Sequence, residues 1–227
     1  MIDVDIPRLS FDGIYFGNDC FYYTYFLQSS SMHSPLSSSF DVAGLENYIN
    51  FGKQEPTISS TVIRNRTEFN SIPLDVEDLW IVRFDASDMY EFIPSRFQSL
   101  KTLVIGNGLF WSVNRLELNN LTSLQILYIG NGSFVNVRVF ELDGLDELES
   151  VVIGENSFRI DDNKRSDGSC RIVNCPKLKS IQIGYQSFRD YHSFELNNLP
   201  SLQSIDIGEW CFTYAPFSLT GLIDGLV

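Results

Sequence analysis

The sequence has very little of what most catalytic and metal sites are made from. It contains two histidines, His33 and His192, and four cysteines that form neither a CxxC pair nor a cluster with histidine. It also has no HExxH, GxSxG, P-loop or GxGxxG motif. We therefore predict that the protein is not an enzyme and holds no metal ion and no cofactor.

Positive charge is also scarce, since 16 Lys and Arg stand against 29 Asp and Glu and give a net charge of -13. A chain this acidic is repelled by phosphate backbones, so we expect no nucleic-acid partner. No apolar run approaches the roughly 18 residues that a membrane-spanning helix needs, and the first residues carry acids where a secretory signal carries positive charge. We expect no membrane insertion, a cytoplasmic location for the chain as written, and a cell-surface location only for a fragment of a longer protein.

What the sequence does contain is a repeat. An Ile-Gly pair recurs through the second half of the chain, and a phenylalanine follows each glycine after four residues. Successive glycines are 24 residues apart except for one spacing of 30. The glycines are Gly106, Gly130, Gly154, Gly184 and Gly208, and the phenylalanines are Phe110, Phe134, Phe158, Phe188 and Phe212. A fixed period of this length indicates a repeat architecture.

A second apolar cluster follows each phenylalanine. It reads LELNNL, FELDGL, FELNNL and FSLTGL where it starts at residues 116, 140, 194 and 217. The remaining repeat has CRIVNC, and the insertion IDDNKRSDGS (160–169) before it accounts for the longer spacing. Cys170 and Cys175 take the positions of apolar residues in this cluster, which predicts buried, free cysteines.

One position of the second cluster carries charge. It holds Glu117, Glu141, Arg171 and Glu195 in successive repeats. Stacking of the repeats would place Arg171 between Glu141 and Glu195 and relieve the repulsion between like charges. We expect this column to be structural rather than catalytic.

The pattern within one repeat predicts its shape. Alternation of apolar and polar residues before each glycine is typical of a strand. Glycine permits a sharp bend after the strand, and the phenylalanine then points back into the interior. One such coil cannot bury its apolar side alone, so coils must stack, and their strands form a parallel sheet. The five phenylalanines are therefore predicted to lie in one internal file, as core residues and not as a ligand cage.

The repeat resembles a known family. The segment L-xx-L-x-I before each glycine is similar to the strand segment of leucine-rich repeats, L-xx-L-x-L-xx-N-x-L. The elements IGNGSF, IGENSF, IGYQSF and FGNDCF resemble the IGxxAF element of BspA-like (Treponema-type) leucine-rich repeat proteins. This resemblance implies a β-rich solenoid with a parallel β-sheet on one face, short irregular or strand-like segments on the other, and a period of about 24 residues. It also implies a role in surface adhesion as one alternative.

We predict a single leucine-rich repeat solenoid over residues 1–227. Regular repeats occupy 92–227, whereas 1–91 holds irregular repeats with a serine-rich insertion at 27–39. Such an insertion is typical of a solvated loop.

Two segments of the irregular part match the strand pattern. They are FDGIYFGNDCF (11–21) and LWIV (79–82), and we expect them to extend the array toward the N-terminus. Residues 53–75 have no legible register. An enzyme, the least favoured function, would need a pocket in that stretch.

A partner protein is expected to bind the sheet face that points away from the core. Strand alternation and the position after each glycine identify the residues of this face. The face is apolar and aromatic in its first half and acidic toward its end, and mixed surfaces of this kind bind proteins. The predicted protein-binding residues are Val104, Ile126, Tyr128, Val152, Glu155, Gln182, Tyr185, Asp206 and Glu209. In the alternative interpretation these side chains only pack against one another within the sheet.

The predicted function is that of a non-enzymatic, protein-binding leucine-rich repeat module that acts as a scaffold. A different function stays open beside it, a structural assembly unit or cell-surface adhesion fragment. Such a unit would associate end to end, because the uncapped ends of a solenoid expose core and strand edges.

Overall fold

The computed structural model describes residues 13–16, 60–160 and 167–220, and this part of the chain consists mainly of short strands. One sheet holds β1 (Gly13–Phe16), β2 (Thr61–Ile63), β3 (Asp78–Ile81), β5 (Thr102–Ile105), β7 (Ile126–Ile129), β9 (Ser150–Ile153), β11 (Ser180–Ile183) and β13 (Ser204–Ile207). The other strands are β4 (Glu91–Phe92), β6 (Arg115–Leu116), β8 (Val139–Asp143), β10 (Ser169–Val173), β12 (Ser193–Asn197) and β14 (Phe217–Thr220). A helix, α1 (Arg66–Asn70), and a 3-10 helix (Pro94–Arg96) complete the described elements.

The chain alternates between two sets of strands around one core. The first sheet has eight strands in the order β1-β13-β11-β9-β7-β5-β3-β2. The second set forms a four-stranded sheet, β14-β12-β10-β8, and a separate pair, β4-β6. The strand pairs are parallel, and the register places Ile105 beside Ile129 and Ile129 beside Ile153. This strand-rich arrangement of stacked parallel strands agrees with the predicted solenoid.

The five phenylalanines form the predicted internal file. Each has an exposed fraction of 0%. Neighbouring rings stack along the file with centroids 4.6–5.5 Å apart. All five residues have positive φ angles, from 49 to 58°, which turn the chain so that the rings enter the core. Burial of one such side chain stabilises the fold by about 1.5–3 kcal/mol.

Close approach between neighbouring turns requires the glycine that follows each of β5, β7, β9, β11 and β13. A Cβ atom on Gly184 would lie 2.6 Å from the backbone nitrogen of Glu155 in the preceding repeat. A Cβ atom on Gly208 would lie equally close, 2.6 Å, to the backbone nitrogen of Tyr185. The prediction that a side chain would obstruct this bend is confirmed, and the obstructing atoms belong to the neighbouring turn.

A ladder of buried hydroxyl groups also connects the turns, and this feature was not predicted. Ser157 Oγ donates to the carbonyl of Gly130 over 2.8 Å and accepts from the backbone nitrogen of Ser133 over 3.2 Å. Ser133, Ser187 and Cys211 occupy the same place in other repeats and likewise donate to the glycine carbonyl of the preceding turn. Each turn is thus hydrogen-bonded to its neighbour inside the core.

The first strand lies at the opposite end of the sheet from the one predicted. β1 pairs with β13, with Ile14 beside Ile205 and Phe16 beside Ile207, whereas β2 ends the sheet on the other side. The strand predicted within 11–21 is confirmed over Gly13–Phe16, but the expectation that it extends the array toward the N-terminus is wrong. Backbone pairing requires a free strand edge and does not depend on chain order, and β13 offers such an edge.

The stretch 53–75 contains β2 and α1 in its described part. Asn65 caps α1, because its side chain accepts from the backbone nitrogen of Glu68 over 3.0 Å. The Glu68 carboxylate in turn accepts from the backbone nitrogen of Arg64 over 2.6 Å. This reciprocal capping sets the start of the helix. The strand predicted at 79–82 is confirmed as β3.

Arg171 lies between acidic side chains as predicted. Its guanidinium contacts Glu141 Oε1 at 2.8 Å and Glu195 Oε2 at 3.2 Å, and it also contacts Asp143 Oδ2 at 2.8 Å. Hydrogen bonds from Asn174 and Arg171 hold the pKa of Asp143 below its ordinary value. Because about a third of each side chain is exposed, we expect each pair to contribute at most about 1 kcal/mol.

The cysteines of the second cluster behave as apolar residues. Cys170 and Cys175 are buried and free, which confirms the prediction. Burial raises the pKa of the Cys175 thiol to about 11, so the reactive thiolate is scarce at neutral pH. The serine-rich insertion at 27–39 lies outside the described residues.

Candidate protein-binding face

The outer face of the first sheet carries two columns of strand residues and one row that follows the strands. In a parallel sheet, residues in register stand about 4.8 Å apart on neighbouring strands. The first column is Thr102, Ile126, Ser150, Ser180 and Ser204. The second column is Trp80, Val104, Tyr128, Val152, Gln182 and Asp206. The post-glycine row is Asn107, Asn131, Glu155, Tyr185 and Glu209.

Two members of the second column, Val104 and Tyr128, are buried. Val104 and Tyr128 each have an exposed fraction of 1%, so the expectation that they lie open on the face is wrong. Val104 stands in register between Trp80 and Tyr128, and Tyr128 stands between Val104 and Val152. Bulky neighbours on both sides favour packing along the sheet, as in the alternative interpretation. Burial raises the pKa of Tyr128 to about 12.

The second half of this column is more open. Val152, Gln182 and Asp206 are partly exposed. Burial raises the pKa of Asp206 above its ordinary value of 3.8, because a desolvated carboxylate loses part of its hydration. Asp206 stands in register between Gln182 and Tyr15, so β1 continues the sheet past it.

Ile126 is the one large residue of the first column. It is partly exposed and stands in register between Thr102 and Ser150. Ser180 Oγ donates to Ser150 Oγ over 3.1 Å, so the hydroxyls further along the column bond to each other. Because these side chains are short, a partner on this face would first contact the larger side chains of the second column and of the post-glycine row.

The post-glycine row changes its role along the array. The side-chain oxygen of Asn107 accepts from the backbone nitrogen of Asn131 over 2.8 Å, and that of Asn131 accepts from the nitrogen of Glu155 over 2.9 Å. These two asparagines therefore stabilise the fold by joining neighbouring turns. Glu155, Tyr185 and Glu209 follow them and are exposed, Tyr185 by 38%. We call these three residues the acid–tyrosine row.

Most of the predicted binding residues thus form one continuous surface over β7, β9, β11 and β13. Those that keep exposed area are Ile126, Val152, Glu155, Gln182, Tyr185, Asp206 and Glu209. A tyrosine between two carboxylates, beside apolar Val152, offers an aromatic contact and negative charge at the same place. Such a surface can bind a basic protein surface, but it contains no acid–base pair arranged for catalysis.

A cleft on the other side of the array was not predicted. β6 pairs with β4 and β8 pairs with β10, but among the described strands β6 and β8 do not pair with each other. At this break lies a cleft of about 360 Å³ lined by Asn114, Arg115, Leu116, Glu117, Asn119, Asn120, Val139 and Glu141. Its sequence signal is Leu116, which stands where the next repeat has Phe140.

The charged groups of the cleft bind one another. The Arg115 guanidinium bonds Glu117 at 2.9 Å and Glu91 at 3.3 Å, which raises the pKa of Arg115. Glu141 accepts from Asn119 over 3.0 Å and from Arg171 over 2.8 Å. These charges are already paired within the protein, which makes the cleft a weak candidate for a binding site.

No helix in residues 13–16, 60–160 and 167–220 is long and apolar enough to cross a membrane. Within the same ranges, no three His, Cys, Asp or Glu side chains are grouped so that they could hold a metal ion. Comparison of the chain with protein-family models, with curated proteins and with solved structures finds no match. Its function must therefore be inferred from its own surface.

Proposed function

We propose that this protein is a non-enzymatic binding module of the leucine-rich repeat type that holds another protein on the outer face of its first sheet. The acid–tyrosine row is the observation that carries the proposal. Glu155, Tyr185 and Glu209 are exposed and follow consecutive strands, and partly exposed Val152 and Gln182 stand on two of these strands. A rigid sheet presents these side chains at fixed spacing, which reduces the entropy lost on binding.

Two features support the leucine-rich repeat assignment. The Ile-Gly pairs recur with a period of about 24 residues in the sequence, and the strands before them stack in register. In addition, the side-chain oxygens of Asn107 and Asn131 accept from the backbone nitrogen of the next turn, so the same contact joins successive turns. Burial of a leucine, isoleucine or valine at each inward position provides the shared core.

The chemistry of the row indicates the kind of partner. Two carboxylates flank the exposed ring of Tyr185, and the whole chain carries a net charge of -13. Charge of one sign steers an oppositely charged partner toward the surface, and tyrosine is a frequent anchor at the centre of interfaces. We therefore infer a partner with a basic contact surface that accepts an aromatic ring.

Charge reversal on the row tests this function. The full chain with Glu155→Lys and Glu209→Lys is compared with wild type in affinity capture from the native cells, and the captured protein is then purified for calorimetric titration. The matched control carries Asp75→Lys and Asp146→Lys, which change the net charge equally at exposed positions away from the row. We expect the row variant to bind at least about tenfold more weakly and the control to bind like wild type.

A Tyr185→Ala variant separates the aromatic contact from charge. Tyr185 is exposed, so its loss should leave the far-UV spectrum unchanged while binding weakens. Equal binding by wild type, the row variant and Tyr185→Ala would contradict the proposed face. Tyr128 is unsuitable for this test, because its side chain is buried and a charge there would disturb the sheet.

A second function, assembly through the ends of the solenoid, is favoured by a different observation. β1 and β2 are the terminal strands of the first sheet, and each has one edge that pairs with no described strand. Such edges are templates for pairing with another chain.

A further inference from the structure

The strand that comes first in the chain completes the end of the sheet that comes last. β1 pairs with β13, while β2 and β3, which follow β1 in sequence, lie at the other end. From β3 onward, each strand of the first sheet lies beside the strand of the next repeat. The position of β1 breaks this order, so β1 occupies the edge of β13 as a separate strand.

The sequence of β1 matches the strands with which it stacks. Its GIYF takes the register of SIDI in β13, and an apolar residue stands beside Ile205 and beside Ile207. All strands of the first sheet run parallel, so β1 has the direction required for pairing with β13 and equally for pairing with β2. The match makes β1 suitable for either end of the sheet.

The connection between β1 and β2 is long enough for β1 to pair either with β13 or with β2 of its own chain. Residues 17–60 separate the two strands in sequence. Within one chain β1 and β2 stand at opposite ends of the sheet, about 34 Å apart at about 4.8 Å per strand. A connection of about 44 residues can reach up to about 145 Å when fully extended. The same connection could therefore let β1 lie beside its own β2.

We propose that the edge of β13 is a binding site for β1 of a second copy of this chain. In this arrangement β1 of the second copy lies between β13 of the first copy and β2 of its own chain, and the first sheet continues from one copy into the next. Both edges that are unpaired within one described chain become paired. The contact joins two different surfaces, so it repeats head to tail and builds a linear assembly. This inference concerns the ends of the solenoid and does not depend on the binding face.

Concentration decides between the two arrangements. A tethered strand faces its own binding edge at an effective concentration of about 1 mM. We therefore expect β1 to pair within its own chain in dilute solution and to pair between copies as the protein approaches that concentration. The second paired edge of β1 favours the assembly further, because additional backbone hydrogen bonds form along it.

Crosslinking between two differently labelled chains tests the proposal. Tyr15 and Asp206 are register partners, and the strand spacing of about 4.8 Å suits the Cα separation of a disulfide. Full chains carrying Cys20→Ser with either Tyr15→Cys or Asp206→Cys are mixed at about 1 mM and oxidised gently. We expect a disulfide-linked dimer with one chain of each kind, seen by mass spectrometry without reductant.

A matched control uses Gln182→Cys in place of Asp206→Cys. Gln182 stands in the same column one strand further in, where β13 already occupies the neighbouring edge, so we expect no heterodimer with Tyr15→Cys. Far-UV spectra of all variants check that the sheet is intact. A single chain carrying both Tyr15→Cys and Asp206→Cys, oxidised on the order of 10 µM, measures pairing within one chain.

Each outcome decides the proposal. A heterodimer for Tyr15→Cys with Asp206→Cys, but not with Gln182→Cys, supports a shared edge between copies. Closure of the double-cysteine chain without any heterodimer in the mixture would show that β1 serves only its own chain. Absence of both products would show that β1 does not occupy the β13 edge, and it would overturn the proposal as well.

Discussion

Gly132 and Gly184 lie in corresponding turns of different repeats, yet each requires glycine for its own reason. Gly132 has a φ of +66°, and a Cβ atom there would meet nothing within 4 Å. A Cβ atom on Gly184 would lie 2.6 Å from the backbone of Glu155, which belongs to the neighbouring repeat. The first case involves local backbone strain, and the second involves the distance between two turns.

We predict that Gly184→Ala destabilises the protein more than Gly132→Ala does. Alanine at Gly132 should cost about 1–2 kcal/mol, the usual penalty of a left-handed residue with a side chain. Alanine at Gly184 forces two turns apart within a packed array, so the free energy of unfolding should fall by more than that. Urea unfolding of both variants measures the difference. A smaller loss for Gly184→Ala would mean that the turns can separate freely.

Burial of the Asp206 carboxyl, which raises its pKa, gives the stability of the fold a pH dependence. Its pKa is raised above 3.8 by burial, so between 3.8 and the raised value the folded protein keeps a proton that the unfolded chain releases. Asp206 therefore destabilises the fold at neutral pH and not below pH 3.8. We predict that Asp206→Asn raises the melting temperature at pH 7 and that its advantage disappears as pH falls toward 3.8. Thermal unfolding across this range is the measurement, and a constant advantage at every pH would contradict it.

At the scale of elements, the turns after the strands are joined to one another by hydrogen bonds of their own. Ser157 donates to the Gly130 carbonyl and accepts from the Ser133 nitrogen, both inside the core. We predict that Ser157→Ala lowers the free energy of unfolding by about 1–3 kcal/mol, because a buried backbone nitrogen loses its acceptor. Ser157→Cys should cost less, since Cys211 fills the same place and its Sγ donates to Gly184. Guanidinium unfolding compares the two, and equal losses would rule out the hydrogen bond as the cause.

The stacking of side chains along the array was predictable from the repeat, whereas the hydrogen bonds of the serine ladder and the contacts set by individual neighbours were not. The phenylalanine file and the place of Arg171 between two glutamates follow from which residues occupy one position in successive repeats. The burial of Tyr128 depends on its particular neighbours in register, Val104 and Val152. Strand alternation predicts the face on which a side chain lies but not how its neighbours cover it. The break between β6 and β8 shows only as Leu116 in place of phenylalanine, a change that a sheet usually tolerates.

At the scale of the whole molecule, β13 is covered by β1, the strand that comes first in the sequence. A solenoid is held together by contacts between neighbouring turns, so the last turn is stabilised from one side unless another element covers it. β1 covers the β13 side of the first sheet. The position of β1 was not predictable, because several edges of a repeat array suit one strand sequence, and their relative free energies are not visible in the pattern.

Removal of β1 from the sheet should therefore loosen one end of the molecule only. Tyr15→Pro deletes the backbone N–H that the register directs to the Ile205 carbonyl and fixes φ, so β1 loses its pairing with Ile205. In dilute protein, at about 10 µM, we predict hydrogen exchange at least about tenfold faster for the amides of β13, with β3 and β5 unchanged. Tyr15→Val, which keeps the N–H and the strand propensity, is the control and should exchange like wild type. Faster exchange in β3 as well would indicate that the turns are coupled over the whole array, and unchanged exchange in β13 would contradict the placement of β1. Faster exchange in β13 alone would mean that β1 can leave the edge of β13 while the other turns stay folded. This is the condition for that edge to receive β1 from a second copy.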